Sequence, residues 1–161
     1  MTPSAHVQSP FMNAERNTAS SSRSIVWTIL AVIIGGTFVY AGAAKIGDPM
    51  HFARDIQNFR IVGWSIAIRV AFFLPWLEIV TGVALIAGVL RSGALAILTG
   101  LTVFFIGATI SAHARGINLD CGCFGGASKG MSFTTHMLID FVILAGLVAL
   151  WLLPARVTRE G

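Results

Sequence analysis

Charge is what this sequence has least of. Asp, Glu, Lys and Arg together make up 11% of the chain, against about 25% in an ordinary soluble domain. A chain of 161 residues with that little charge cannot cover a globular surface with polar groups, so a water-soluble enzyme domain is excluded. Cysteine is equally scarce, at two residues, which excludes a scaffold held by several disulfides. Tyrosine occurs once and the basic residues are scattered, so no basic patch with interleaved aromatics is present for nucleic acid. The pI near 9.8 reflects cations beside anionic lipid headgroups instead.

What fills the chain is apolar sequence: 55% of residues are hydrophobic and the mean hydropathy is +0.80. They come in blocks. Ser24 to Ala44 carries no charge over 21 residues, and Val70 to Leu90 carries only Glu78 over another 21. Ser92 to Ala114 has no formal charge, and Met137 to Ala155 has only Asp140. A spanning helix takes roughly 20 apolar residues, so the predicted fold is an all-α membrane protein, a bundle of four transmembrane helices. The spans are expected at about 24–46, 65–90, 93–114 and 133–153. The domain division is then a disordered N-terminal tail at 1–22, the four-helix domain at 23–154, and a C-terminal tail at 155–161. Ala41-Gly42-Ala43 resembles a signal-peptide cleavage site, but the apolar stretch is longer than an h-region of about 7–15 residues, so cleavage is not expected.

Between the first two spans Asp48-Pro49 reads as N-cap and first helical residue. Phe52, Ile56 and Phe59 then fall on one face of a short amphipathic helix, suited to lie at the interface. In the first span Ala31, Gly35 and Gly42 recur at helical spacing and let another helix approach closely. In the third, Gly93, Ala96, Gly100, Gly107 and Ser111 form a similar seam, read as a packing face. Pro75 in the second span favours a kink, and Arg91-Ser92-Gly93 reads as the turn into the third. With four spans both termini share one side. Lys and Arg number five on that side and six on the other, so charge does not orient the chain.

Both cysteines sit one residue apart in Leu119-Asp120-Cys121-Gly122-Cys123-Phe124-Gly125-Gly126, a glycine-rich loop between the third and fourth spans. The pair admits three readings. Residues i and i+2 can meet the Cα separation of a disulfide, about 4.4–6.8 Å. The resulting ring is strained and closes almost no loop, which suits exchange chemistry better than stapling. The pair can instead join His113 and His136, which flank the loop, as metal ligands, although zinc sites favour wider cysteine spacing and no metal is expected. Or the two thiols are small hydrophobes in a packed loop. Exchange is the favoured reading, with Cys121 and Cys123 as the reacting pair. It places the loop in an oxidising compartment outside the cytoplasm and the termini inside it.

The second constellation is intramembrane. Lys45 ends the first span, Glu78 sits mid-way along the second, and Asp140 is about two turns into the fourth. Ionisable groups at depth cost about 2.5–3.5 kcal/mol each on insertion scales, so they pair or serve a function. All three are expected to meet beneath the cysteine loop, with Tyr40, near Lys45, joining them. They form either an ion pair that holds helices or a proton or quinone site coupled to the dithiol. His51 and His6 are expected at the surface.

These residues resemble a known family. Gly36-Thr37-Phe38-Val39-Tyr40-Ala41-Gly42-Ala43-Ala44-Lys45 with Asp48-Pro49, and Leu74-Pro75-Trp76-Leu77-Glu78 with Gly82, are similar to DoxX-like membrane proteins. Asp120-Cys121-Gly122-Cys123-Phe124-Gly125 narrows the resemblance to the MauE-type methylamine utilisation branch, over roughly residues 24–153. The resemblance implies a multi-pass protein of the bacterial inner membrane that supports disulfide formation in an exported client, such as the small subunit of methylamine dehydrogenase. It makes Cys121 and Cys123 the redox pair and Glu78 and Lys45 the in-membrane polar residues. No bound cofactor is implied; a quinone is a candidate electron acceptor, and a separate thioredoxin-like protein a candidate redox partner. Ile139 departs from the family pattern, standing where a basic residue precedes the fourth-helix acid. Two other classes compete: a non-catalytic subunit or scaffold of a quinone-linked complex, and a small transporter. The latter is disfavoured by the lack of inverted repeats.

Overall fold

The computed structural model describes residues 10–116 and 133–153, with side chains described from residue 24 onward within those ranges. The described residues form five helices in chain order: α1 (Pro10–Gly47), α2 (Pro49–Asn58), α3 (Trp64–Ala87), α4 (Arg91–Ala114) and α5 (Phe133–Leu152). No strand occurs among them. Ser24–Gly47 of α1, and the whole of α3, α4 and α5, are each long and apolar enough to cross a bilayer, so the four-span bundle is observed. Large apolar side chains face outward on every span, including Ile33, Phe73, Val80, Phe104 and Val142, the surface of a protein dissolved in lipid.

The first helix starts earlier than the composition suggested. Backbone is helical from Pro10, so residues 10–22 are not the disordered tail expected there, while residues 1–9 lie outside the described residues. Proline suits a first helical position, and the following Met12, Ala14, Glu15 and Arg16 are good helix formers that extend the helix nucleated in the span.

Glycines set how α1 and α3 meet. A Cβ added at Gly35 would come within 2.7 Å of the Gly82 carbonyl oxygen, and one at Gly42 within 2.6 Å of the Pro75 carbonyl oxygen. The helices therefore touch backbone to backbone, antiparallel, with Gly35 opposite Gly82 and Gly42 opposite Pro75. The seam read on the first span is the observed contact. In this register α3 extends past the end of α1. Its first turns are covered by α2, whose Phe52 and Ala53 pack against Ala71, level with the end of α1. The α2 cap is as read: Asp48 accepts a hydrogen bond from the His51 backbone N–H at 3.0 Å, with Pro49 next.

The seam read on the third span is not a contact within the bundle. Gly93, Ala96, Gly100, Gly107 and Ser111 are exposed, and a Cβ at any of the three glycines would touch nothing. α4 turns its larger face inward, through Leu95, Leu98, Thr102, Ile106 and Ala112. In a bilayer both faces of α4 are compatible with lipid, so no solvation energy selects the small one; side-chain packing decides. The α3–α4 turn also lies earlier than Arg91-Ser92-Gly93. Gly88 ends α3 in the left-handed region (φ 70°), Val89 donates to the Ala84 carbonyl, and Arg91 already belongs to α4. From there the Arg91 guanidinium stacks on the buried Trp27 ring, 3.8 Å from its centroid.

The interior divides along its length. The end near Trp27 and Arg91 is apolar: Ala31, Ile34, Leu85, Leu95, Leu98, Leu147 and Leu150 form one cluster. The other end holds Lys45, Glu78, Thr102, Thr109, His136 and Asp140, all buried.

Candidate functional site

Why Lys45 turns inward follows from helix geometry. Side chains lean toward the N-terminus of their own helix. In an antiparallel pair Lys45 on α1 therefore leans toward the middle of the bundle, and Glu78 on α3 leans up to meet it. A lysine at a helix end ordinarily snorkels to water; here it is 2% exposed. Its Nζ donates to both carboxylate oxygens of Glu78, at 2.6 Å and 2.8 Å. The ammonium also lies 5.3 Å from the Phe52 ring centroid and 5.2 Å from that of Phe105. Cation–π contacts add about 0.5–2 kcal/mol each in desolvated surroundings. Four elements thus converge on one cation: α1 supplies it, α3 the counter-ion, and α2 and α4 a ring each.

Asp140 joins from α5. It is 6% exposed, lies within electrostatic reach of Lys45, and shares a small cavity with Glu78. That cavity has about 30 Å³ open to water centres and is also lined by Thr37, Thr102 and Phe105; one or two waters fit. The hydroxyl of Thr37 donates to the Ile33 carbonyl at 2.9 Å and that of Thr102 to the Leu98 carbonyl at 2.8 Å. Both hydroxyls of these lining residues are therefore left with acceptor capacity only. The site holds two carboxylates, one ammonium and two hydroxyl oxygens whose protons are spent.

The structure brings Lys45, Glu78 and Asp140 together as read. Tyr40 is not among them: its side chain is 59% exposed and lines a groove on the outside of α1. Five residues along a helix turn through about 140°, so Tyr40 and Lys45 occupy different faces. Ile139 lines the same groove. Thr37, Thr102 and Phe105 were not read from sequence as site residues, and Phe52 was read only as part of the apolar face of the short helix. Thr102 and Thr109, seven residues apart on an otherwise apolar stripe, were the available signal.

Cys121 and Cys123 lie outside the described residues, as do Asp120 and Lys129. The two ends of their loop are described. His113, in the last turn of α4, stacks on Phe133, which opens α5, with centroids 3.9 Å apart and planes at 11°. Arg115 donates to the carbonyls of Phe59 (2.8 Å) and Ser111 (3.0 Å), tying the α4 terminus to the α2–α3 turn. The loop therefore enters and leaves at the end of the bundle that holds the ion cluster. His136, the other flanking histidine, is buried. Among the described residues no group of three or more His, Cys, Asp or Glu is placed to hold a metal ion. His51 pairs with Asp55 at 3.1 Å on the exposed side of α2, and His6 lies outside the described residues.

Fold and site together define a small multi-pass membrane protein with a charged core at one end of a four-helix bundle. No curated protein and no solved structure matches the chain. The family model of methylamine utilisation protein MauE matches residues 23–154, the whole helical domain read from the sequence, and the chain belongs to that family.

Proposed function

We propose that this protein is a thiol–disulfide exchange factor of the bacterial inner membrane, with termini in the cytoplasm and the Cys121–Cys123 loop outside it. Its client is an exported enzyme of methylamine utilisation, such as the small subunit of methylamine dehydrogenase. A client thiolate attacks one sulfur of the Cys121–Cys123 disulfide and forms a mixed disulfide. A second client thiolate resolves it. The client leaves with a disulfide, and the two electrons and two protons stay on Cys121 and Cys123 as a dithiol. Reoxidation passes two electrons and two protons to a membrane quinone, giving quinol, or the electrons to a separate thioredoxin-like partner.

The observation that carries this reading is membership of the methylamine utilisation family in a chain whose two cysteines stand as an isolated CxC pair. The position of the loop ends, above the Lys45–Glu78–Asp140 cluster, supports it. Thiol trapping in native membranes tests it. Part of the Cys121–Cys123 population should be oxidised, and Cys121→Ser should stop client maturation. Fully reduced cysteines under all growth conditions, with maturation intact in Cys121→Ser, would sink the proposal.

The exposed small-residue face of α4 favours a second reading, a non-catalytic subunit or scaffold of a quinone-linked oxidoreductase complex. A stable complex that survives substitution of both cysteines would favour it.

A further inference from the structure

Between α1 and α5 runs an open groove of about 520 Å³, within the roughly 300–1,000 Å³ of small-molecule sites. Ile33, Thr37, Tyr40, Leu138, Val142 and Gly146 line it, so its walls are apolar with two hydroxyl-bearing residues among them. Gly146 lets the two helices meet closely: a Cβ there would sit 2.7 Å from Ile34 Cδ1. The groove is not isolated from the charged core. Thr37 and Ile143 line both the groove and the cavity of Glu78 and Asp140, so one layer of side chains separates them.

The two sides of that wall ask for different chemistry. The groove suits an apolar body reached from the bilayer. Beyond Thr37 the lining polar groups are acceptors, because the Thr37 and Thr102 hydroxyls already donate and the Lys45 ammonium is directed at Glu78. Thr37 stands in the wall itself with its hydroxyl proton spent on Ile33, so the ligand that suits the groove there is a lipid-soluble molecule with an O–H-bearing head. We infer that the α1–α5 groove binds a membrane quinone carrier, its ring at Thr37, and holds the hydroxyl-bearing quinol more tightly than the quinone. The inference deepens the reading of the protein as a quinone-linked thiol oxidant, and rests on it for the direction of electron flow. A site tighter for quinol favours the step in which quinone takes two electrons and two protons from a dithiol.

The test uses the full chain in phosphatidylcholine nanodiscs with both cysteines replaced by serine, which separates binding from thiol chemistry. A photoreactive short-chain ubiquinone analogue should label peptides of α1 and α5. Ubiquinol should compete better than ubiquinone. Val142→Trp, which fills the groove from a lipid-facing position, should lower labelling roughly tenfold, while Phe104→Trp on the lipid face of α4 should not. Thr37→Val should keep labelling but lose the preference for the quinol. Labelling spread over all lipid-facing helices, or unchanged in Val142→Trp, overturns the inference. So does labelling that excess phospholipid removes and ubiquinol does not, which marks a seat for lipid chains. Specific labelling beside redox-silent cysteines would leave the groove standing and remove the exchange function. Active cysteines without labelling would do the reverse.

Discussion

Replacing Lys45 by methionine is the most direct probe of the charged core. Methionine keeps most of the side-chain length and a favourable sulfur–ring contact with Phe52 and Phe105, worth about 0.3–1.5 kcal/mol each. What it removes is both hydrogen bonds to Glu78 and the charge, leaving a carboxylate that is 1% exposed. Breaking a buried pair from one side costs about 3–5 kcal/mol, because the remaining group is buried without compensation. Glu78→Met should cost less than Lys45→Met, because Asp140 remains within electrostatic reach of the ammonium. The double variant Lys45→Met/Glu78→Met strands neither and should return close to the parent, since apolar replacement of a whole buried pair is neutral or stabilising by about 1–4 kcal/mol. Any remaining loss belongs to Asp140, which loses its nearby cation, and adding Asp140→Leu should remove it. Unfolding of purified protein in mixed micelles with increasing SDS, followed by tryptophan fluorescence, reads all four chains. Single variants within about 1 kcal/mol of the parent, the range of a solvated surface pair, would refute the reasoning. A double variant as damaged as the sum of the singles would refute it too.

The glycine contacts give opposite signs at chemically identical substitutions. Gly35→Ala and Gly82→Ala force α1 and α3 apart, since each Cβ would lie 2.7 Å from a backbone oxygen, and overpacking of this kind costs about 1–3 kcal/mol. Gly100→Ala meets nothing in the bundle and should be neutral or gain about 0.5–1 kcal/mol from helix propensity; both are read by the same SDS titration. A loss at Gly100 in membranes but not in micelles would mean that another protein covers that face. Arg115→Ala frees the Phe59 carbonyl. At this exposed turn the cost should be about 1 kcal/mol, with faster cleavage between α2 and α3 in limited proteolysis.

Length and apolarity made the four spans legible, because a bilayer demands unbroken apolar runs and few other structures produce them. The Lys45–Glu78 pair was legible for a related reason: a charge at depth needs a partner, and the chain offers few. Lipid removes the other signal. In water the apolar stripe of a helix shows which face is buried, but the two faces of α4 are equally apolar to a lipid chain. The Gly93–Gly100–Gly107 face therefore looked like the contact when Leu95, Leu98 and Ile106 make it. The α3–α4 turn was misplaced because Arg91 reads as a polar break, whereas the left-handed Gly88 ends α3 and Arg91 caps the bundle on Trp27. Tyr40 was drawn to Lys45 by closeness in sequence, which helical rotation undoes. The aromatic pair around the ammonium was out of reach, since Phe52 and Phe105 come from helices whose relative placement depends on the α1–α3 register.

A buried ion pair is a poor device for holding helices together. If the double variant is as stable as the parent, two methionines hold the α1–α3 interface as well as lysine and glutamate do, and Gly35, Gly42 and Gly82 already bring the helices to backbone contact. Two carboxylates lie near one ammonium beside a cavity with room for water. That arrangement makes the cavity a place where a proton or a donor-bearing ligand is favourable. The decisive separation is between stability and activity. Lys45→Met/Glu78→Met should retain the fold, yet lose client maturation as completely as Cys121→Ser, with Cys121 and Cys123 accumulating as dithiol in trapping gels. Full maturation in that variant would mean that the cluster is architecture alone.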